Sequence, residues 1–186
     1  MSARAVFVYD DILSRHRLSE THPLKPARLR FTYDLLQSYG AFDAPNTKLV
    51  KPRPATEEEI LRFHTRPYLE AVQGLGRGDD SVNAAEFHFG PGDNPVFDGM
   101  YEAAGLSTGA SIKAAELLAE GEADAALSIS GGLHHAMPGY ASGFCIFNDP
   151  VLAIMELVQR GMRVAYVDID CHHGDGVQHA FYDTDE

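Results

Sequence analysis

The chain of 186 residues carries 27 acidic and 15 basic side chains, which gives a formal net charge of −12 at pH 7. Hydrophobic residues make up 45% of the sequence, enough to bury a core in about one domain. This composition excludes a collagen-like, disordered or disulfide-scaffold protein. The acidic excess, with no Lys/Arg cluster to offset it, argues against binding to nucleic-acid phosphates.

The sequence has no candidate membrane segment near its start. The longest apolar run there covers residues 5–9, which is far shorter than the roughly 18 residues needed to span a bilayer. Cys145 and Cys171 do not form a CxxC pair, which favours small buried thiols in a reducing compartment over a thiolate metal site. We therefore expect a cytoplasmic protein without membrane association.

The first elements in chain order are a strand and a helix. Residues 5–8 have the apolar, β-branched and aromatic composition of a buried strand. Pro23 and Pro26 exclude a helix between them, because each proline holds the preceding residue in an extended conformation. A helical apolar pattern begins at Leu29, and Gly40 occupies the position of a C-terminal cap.

The middle of the chain predicts short helices and then a loop. Thr56 and Glu59 match the capping-box pattern that begins a helix. The sequence at 64–67 interrupts this helix, and a short helical pattern resumes over 68–72. Residues 74–98 contain many Gly, Pro, Asn and Asp residues with little periodicity, which predicts a long functional or mobile surface loop.

The second half of the chain alternates helices and strands. A helix rich in Ala and Leu is predicted over 98–120, and a strand over 125–129. Asn148 begins a further helix, and 163–170 predicts a strongly apolar, buried strand. This alternation is typical of an α/β fold with a mainly parallel sheet, in which ligands bind beyond the carboxyl ends of the strands.

Polar side chains follow the last of these predicted strands. Because successive side chains of a strand point to opposite faces, Asp168, Asp170 and His172 are expected on one face and the residues between them on the other. Carboxylates this close repel each other unless a cation or hydrogen-bond donors lie between them. Carboxylate and imidazole ligands suit zinc or iron, so the segment predicts a metal site.

Adjacent histidines follow the other predicted strand end. His134 and His135 each need an orienting partner, and Asp168 and Asp175 are the natural candidates, because a carboxylate on one ring nitrogen makes the other nitrogen more basic. Together with a metal, the two His–Asp pairs predict metal-assisted hydrolysis in which a histidine acts as general base.

Five segments resemble the zinc-dependent histone deacetylases and their bacterial relatives, the acetoin-utilisation (AcuC-like) proteins and the acetylpolyamine amidohydrolases. The likeness covers essentially the whole chain. The segments are HPLKPAR at 22–28, PGDNPVF at 91–97, SGGLHH at 130–135, ASGFCIFND at 141–149 and YVDIDCHHGDG at 166–176.

The resemblance implies the arginase/deacetylase fold, a mainly parallel sheet with helices on both faces. It implies that Asp170 and His172 are zinc ligands, with Fe²⁺ as a possible replacement for zinc, and that His134 pairs with Asp168 and His135 with Asp175. His135 is then the general base and acid and His134 the electrostatic helper, or the reverse. Potassium ions are implied near Asp168 and near Phe181.

Four further residues acquire substrate roles from the resemblance. Phe144 would line the acyl-lysine channel, Gly143 would accept the substrate amide, and Asp93 would hold the substrate backbone. Arg28 would lie beneath the metal, on a route for acetate release. The other histidines are assigned no chemistry: we interpret His22 and His64 as loop-structure residues, and His16, His88 and His179 as surface residues.

The family pattern also requires a third metal ligand, an Asp, and a Tyr that polarises the acetyl carbonyl, and no residue here matches them. We therefore expect residues 1–186 to be the N-terminal part of a longer deacetylase domain and to be inactive as they stand. The expected substrate is an acetylated protein or an acetylated amine. The alternatives are an acetylpolyamine amidohydrolase, an arginase-like enzyme with two manganese ions, and a non-catalytic module that binds acylated partners.

Overall fold

The computed structural model describes residues 3–15 and 18–184. Within these residues, β1 (Ala5–Val8), β2 (Thr47–Val50) and β3 (Ala125–Ser128) form a parallel sheet in the order β2-β1-β3. Short 3-10 helices cover Asp11–Ser14 and Ala84–Phe87. The α-helices are α1 (Ala27–Ser38), α2 (Glu57–Ile60), α3 (Arg66–Gly76), α4 (Met100–Ala119), α5 (Asp149–Gln159) and α6 (Asp175–Phe181).

Helices cover both faces of the central strand. Val6 and Val8 of β1 pack on one face against Ala110 and Leu117 of α4. Phe7, on the other face, packs with Leu29 of α1 in a second cluster of aromatic and leucine side chains. This alternation follows from the two-residue repeat of a strand. The predicted α/β fold, with a parallel sheet and helices on both faces, is confirmed.

The largest apolar core lies between α3, α4 and α5. Its fully buried members include Tyr68, Leu69, Ile112 and Leu152. The Tyr68 hydroxyl donates a hydrogen bond of 2.8 Å to the carbonyl of Ile146, which satisfies the one polar atom that this ring buries. This core supports the chain segments that carry the site.

Most of the predicted helix boundaries agree with the structure. Both hydrogen bonds of the Thr56–Glu59 capping box are present at the start of α2. The Asn148 side chain accepts a hydrogen bond of 3.2 Å from the Val151 amide at the start of α5. Gly40, beyond the end of α1, has φ of +69°, the left-handed conformation that glycine adopts without strain. None of the described helices is both long and apolar enough to cross a membrane.

The structure differs from the predicted secondary structure in two regions of the first two thirds of the chain. The loop predicted over 74–98 begins later, because α3 continues to Gly76, and it contains the 3-10 helix Ala84–Phe87. Strand β2 was not predicted, since its four residues include Thr47 and Lys48 and carry a weak apolar pattern. Its pairing with β1 stabilises it instead.

The predicted strand over 163–170 is wrong for the described structure. These residues form no ladder with any described strand, and Val167 and Ile169 are 78% and 95% exposed. A strand is stabilised by hydrogen bonds to a neighbouring strand, and β3 pairs with β1 alone among the described residues. Val164 is partly buried against α5 and α6, but the apolar composition does not lead to burial of the rest of this segment.

Candidate functional site

Two histidines and two carboxylates form a continuous hydrogen-bonded chain at the candidate site. His134 Nδ1 lies 2.7 Å from Asp168 Oδ2, and His135 Nδ1 lies 2.7 Å from Asp175 Oδ1. The two histidine Nε2 atoms are 3.1 Å apart. If each Nδ1–H donates to its carboxylate, the contact between the Nε2 atoms is a hydrogen bond only when one of them carries a proton. This arrangement can accept, hold and release a proton.

Tyr166 also belongs to this hydrogen-bonded series of side chains, and the sequence did not predict it. Its hydroxyl donates a hydrogen bond of 2.6 Å to Asp168 Oδ2, the same oxygen that contacts His134. This bond is the largest cause that lowers the pKa of Asp168 to about 2, with smaller contributions from the Asp170 amide and His134. Asp168 is therefore an anion throughout the neutral range. The spacing of two residues between Tyr166 and Asp168 was a signal that could have identified it.

The segment that carries the histidines, residues 130–136, is called the histidine loop below. Asp149, at the start of α5, is 2% exposed and holds this loop from beneath. Its carboxylate accepts hydrogen bonds from the Leu133 amide at 2.8 Å, the Gly132 amide at 3.1 Å and the Ser111 hydroxyl at 2.6 Å. Burial raises the pKa of Asp149, and the three donors oppose this effect.

The neighbouring Asn148 holds the other end of the histidine loop. Its side-chain amide donates to the carbonyls of His134 and Ala136 at 3.2 and 3.0 Å. Its backbone amide donates to His64 Nε2 at 3.0 Å, while His64 Nδ1 donates to the carbonyl of Met137 at 3.1 Å. The neutral His64 ring thus uses both nitrogens, and burial lowers its pKa to about 4. The structure gives His64 the supporting role that was predicted for it.

Glycines allow the histidine rings to approach the backbone closely. A Cβ on Gly143 would collide with the His135 ring, and Gly143 has φ of +50°. A Cβ on Gly174 would lie 2.5 Å from Asp168 Oδ2 and 3.3 Å from His134 Nδ1. A Cβ at either position would therefore displace the His135 ring or the Asp168 carboxylate.

The segment formed by residues 166–173, called the ligand segment below, carries the predicted metal ligands. Asp170 Oδ1 lies 2.9 Å from His172 Nδ1 and accepts a hydrogen bond of 2.7 Å from the His172 amide. These contacts lower the pKa of Asp170, the bond to the His172 amide being the largest cause. The His172 ring lies 6.0 Å from the ring of His135, measured between centroids.

The exposure of Cys171 contradicts the sequence prediction for this segment. It was expected to be a small buried side chain on the face opposite to Asp170 and His172, but it is exposed. Its Sγ lies 3.4 Å from His172 Nδ1. The backbone bends at residues 170–172, so the two-residue alternation of a strand does not apply there.

The donor set of the ligand segment suits a divalent transition metal. Ligand atoms of Asp170, Cys171 and His172 all lie within 4.8 Å of one another. Carboxylate oxygen and imidazole nitrogen, the donor atoms of Asp170 and His172, are ligands that zinc accepts. The residues present therefore fit the metal that the sequence predicts.

The residues predicted to contact substrate lie on three separate loops or helices. Phe144 and Arg28 line a cavity of about 100 Å³ together with Ser130 and Leu133. Arg28 is otherwise exposed on α1. Asp93 is exposed on the loop before α4, and the Gly143 carbonyl accepts a hydrogen bond of 3.2 Å from the Cys145 thiol. Burial raises the pKa of that thiol to about 12.

Two of the other histidines lie at the surface. His88 and His179 are exposed, as predicted. His16 lies outside the described residues.

The class of protein follows from comparison with solved structures. The chain superposes on the crystal structure of an HDAC homologue from Aquifex aeolicus with a TM-score of 0.87 and 34% sequence identity, covering 98% of this chain and 49% of that one. An HDAC homologue solved in complex with SAHA gives a TM-score of 0.86 at the same identity, covering 99% of this chain and 49% of the other. The predicted arginase/deacetylase fold is confirmed.

Sequence comparisons identify the family. The histone deacetylase domain model matches residues 22–186. The chain is 42% identical over 182 residues to the acetoin utilization protein AcuC of Bacillus subtilis, covering 97% of this chain and 46% of AcuC. It is 40% identical over 185 residues to histone deacetylase 1 of Homo sapiens, covering 98% of this chain and 38% of that protein. The chain belongs to the histone deacetylase family, and it spans less than half the length of these relatives.

Proposed function

We propose that this protein is a zinc-dependent deacetylase that hydrolyses the acetyl-lysine amide of proteins. The observation that carries the proposal is the hydrogen-bonded chain from Asp168 through His134 and His135 to Asp175. Amide hydrolysis needs a base that takes a proton from water and an acid that gives a proton to the leaving amine. Histidines oriented by carboxylates can serve as both.

Asp170 and His172 would hold the zinc ion. When bound, zinc would polarise the acetyl carbonyl and make a water molecule more acidic. His135 would accept a proton at Nε2, because its Nδ1 is oriented by Asp175, and would then pass a proton to the lysine nitrogen. His134, next to the anionic Asp168, would stabilise the charge that develops on the reacting oxygen. The reaction consumes one water and yields acetate and free lysine.

The substrate would be held by residues on the neighbouring loops. We assign the channel wall to Phe144, the acceptor for the substrate amide to the Gly143 carbonyl, and the contact with the substrate backbone to Asp93. Arg28 would lie on the route for acetate release, at the cavity that it lines together with Phe144. Both cysteines are free thiols, which suits a cytoplasmic location.

The test measures acetate release from an acetyl-lysine peptide and from an acetylated polyamine by the intact, zinc-loaded gene product. We expect faster turnover of the peptide and a loss of at least about 100-fold in kcat for His135→Ala. Asp170→Ala should lose both bound zinc and activity. His179→Ala, which changes an exposed histidine of α6, is the matched control and should leave both unchanged.

Other outcomes would replace this function with one of its alternatives. Faster turnover of the polyamine would indicate an acetylpolyamine amidohydrolase. Two manganese ions per chain would indicate an enzyme of the arginase kind. The protein could instead bind the acetylated peptide without releasing acetate, with the same affinity in Asp170→Ala. That result would indicate a non-catalytic binding module.

We also propose that residues 1–186 alone are inactive. Catalytic zinc sites use three protein ligands, and the two proposed here, Asp170 and His172, would hold zinc poorly on their own. Acetate release by the isolated 186-residue polypeptide would contradict this proposal.

A further inference from the structure

Phe144 has an unusual backbone conformation at the position proposed for the channel wall. Its φ is +72°, in the left-handed region that residues with a Cβ adopt rarely. Within residues 3–15 and 18–184, His88 is the only other non-glycine residue with positive φ. Such a conformation is unfavourable, so it persists only when surrounding contacts hold it in place.

Asn94 supplies one of these contacts. The Phe144 amide donates a hydrogen bond of 3.0 Å to Asn94 Oδ1, across 50 positions of sequence. The Asn94 backbone is itself held, because its carbonyl accepts a hydrogen bond of 2.9 Å from the Gly90 amide. Asn94 therefore links the channel wall to the loop that carries Asp93.

His22 supplies the second contact. His22 is 3% exposed, and its ring meets the Phe144 ring edge-on, with centroids 4.6 Å apart and an interplanar angle of 73°. His22 Nδ1 accepts a hydrogen bond of 3.1 Å from the Leu24 amide, so the ring proton lies on Nε2. That Nε2–H donates to the carbonyl of Asp93 at 3.1 Å.

His22, Asp93, Asn94 and Phe144 are thus joined in a closed ring of contacts that connects three loops. Within the described residues, the two members assigned to substrate, Asp93 and Phe144, are not hydrogen-bonded to each other. His22 and Asn94 are the residues that join them. A shift of either loop would therefore be transmitted to the other through these two side chains.

We propose that Asn94 and His22 are positioning residues that set the distance between the Phe144 wall and Asp93, and so determine how well an acetyl-lysine peptide is bound. The inference rests on the proposed function, because it takes Phe144 and Asp93 to be substrate contacts. Without the Asn94 acceptor, Phe144 relaxes toward negative φ and its ring leaves the wall. The chemistry depends on other residues, so substrate binding changes more than the rate of the chemical step.

The test uses the intact gene product and two readouts. In Asn94→Ala, hydrogen exchange of the Phe144 amide should accelerate at least about tenfold. KM for an acetyl-lysine peptide should rise about fivefold while kcat stays within about twofold, because binding rather than chemistry is lost. Asn94→Asp keeps an acceptor oxygen and should restore the slow exchange. His22→Phe keeps the ring contact but removes the bond to Asp93, so it should raise KM with the Phe144 amide still protected.

Asn83→Ala is the matched control, since Asn83 is exposed on the same loop and its side chain makes no capping hydrogen bond. It should change neither readout. If Asn94→Ala does not fold, Asn94→Leu replaces it, because leucine has a similar shape without an acceptor.

Each result decides between the inference and its alternatives. Unchanged exchange of the Phe144 amide in Asn94→Ala would overturn the positioning role. Faster exchange with an unchanged KM would overturn the link to substrate binding. A wild-type protein that hydrolyses no acetyl-lysine peptide would instead contradict the proposed function, while the exchange readout would still decide whether Asn94 holds Phe144.

Discussion

The histidine loop and the ligand segment contribute to the same candidate site, but they are held in different ways. His134 is 6% exposed, and Asn148 and Asp149 beneath it are 0% and 2% exposed. In the ligand segment, by contrast, Ile169 is almost fully exposed, and Asp170 and His172 bond to each other.

This difference shows how each region maintains its geometry. Buried hydrogen bonds that replace water are costly to break, so they fix the backbone of the histidine loop. Exposed polar contacts compete with water and contribute little, so they leave the ligand segment free to adjust. The histidine loop is thus preorganised by the core, whereas the ligand segment depends on further contacts to be fixed.

A pair of glycine substitutions tests this comparison with the largest expected effect. A Cβ on Gly176 would lie 2.6 Å from the carbonyls of His134 and Ala136, which are fixed backbone atoms. We expect Gly176→Ala to lower the free energy of unfolding by about 3 kcal/mol. Gly174→Ala instead meets the movable side chain of Asp168, so it should cost about 1 kcal/mol or less. Urea unfolding measures both values.

Equal losses for the two variants would show that the ligand segment is as rigid as the histidine loop. In that case the two segments would not differ in how firmly they are held. Loss of the His134–Asp168 contact in Gly174→Ala, detected by NMR of the His134 ring, would show that the side chain of Asp168 has moved.

The buried carboxylate of Asp149 provides the second test. Asp149→Ala removes the acceptor of the Gly132 and Leu133 amides and of the Ser111 hydroxyl. We expect a loss of about 2 to 3 kcal/mol in the free energy of unfolding, because these donors stay buried without partners. Asp80→Ala, at an exposed position of the loop after α3, is the control and should have little effect. Equal losses in the two variants would contradict the anchoring role of Asp149.

The pH dependence of stability tests the support given by His64. Its pKa is lowered to about 4 in the folded state, so the unfolded chain binds the extra proton more readily. The stability that neutral His64 contributes is therefore complete above pH about 6.5 and is lost as the pH falls toward 4. Between pH 7 and pH 5 the loss should be about 2 kcal/mol.

Denaturant titrations of the wild type and of His64→Asn at these two pH values isolate the contribution of His64 to the pH dependence of stability. The stability difference between the two proteins should narrow as the pH falls. His179→Ala should retain the dependence of the wild type. A constant difference between wild type and His64→Asn would show that His64 does not titrate in this window.

Thr108 is an exception in the buried region and gives the smallest effect. Its side-chain hydroxyl is fully buried in α4 and has no hydrogen-bond partner within residues 3–15 and 18–184. Thr108→Val keeps the shape and removes the unpaired oxygen, so we expect a gain of about 1 kcal/mol in stability. Thr32→Val, which removes a hydroxyl bonded to the carbonyl of Arg28, should give no gain. Thermal unfolding of the two variants distinguishes these outcomes.

Much of the fold could be predicted because it depends on local patterns. Strand β1, the capping box at Thr56 and the start of α5 at Asn148 lie where composition and capping residues indicate. Helix α4, predicted over 98–120, covers Met100–Ala119. Strand β2 has no comparable local signal, because pairing with β1 forms it.

The candidate site divides in the same way. The types and spacing of His134, His135, Asp168 and Asp175 indicated paired histidines and carboxylates, and their side chains lie in contact. The supporting groups could not be predicted, because no sequence spacing relates Ser111 to Asp149. Tyr166 could have been found from its spacing to Asp168.

The sequence by itself determined the helix caps, the central strand and the residue types of the site, because these follow from interactions between near neighbours. Only the tertiary structure decided that Asp149 and Asn148 are buried under the histidine loop, and that residues 165–170 are exposed. Burial and strand pairing depend on which distant segments meet. An apolar run such as 163–170 therefore specifies a preference for contact but not the partner that satisfies it.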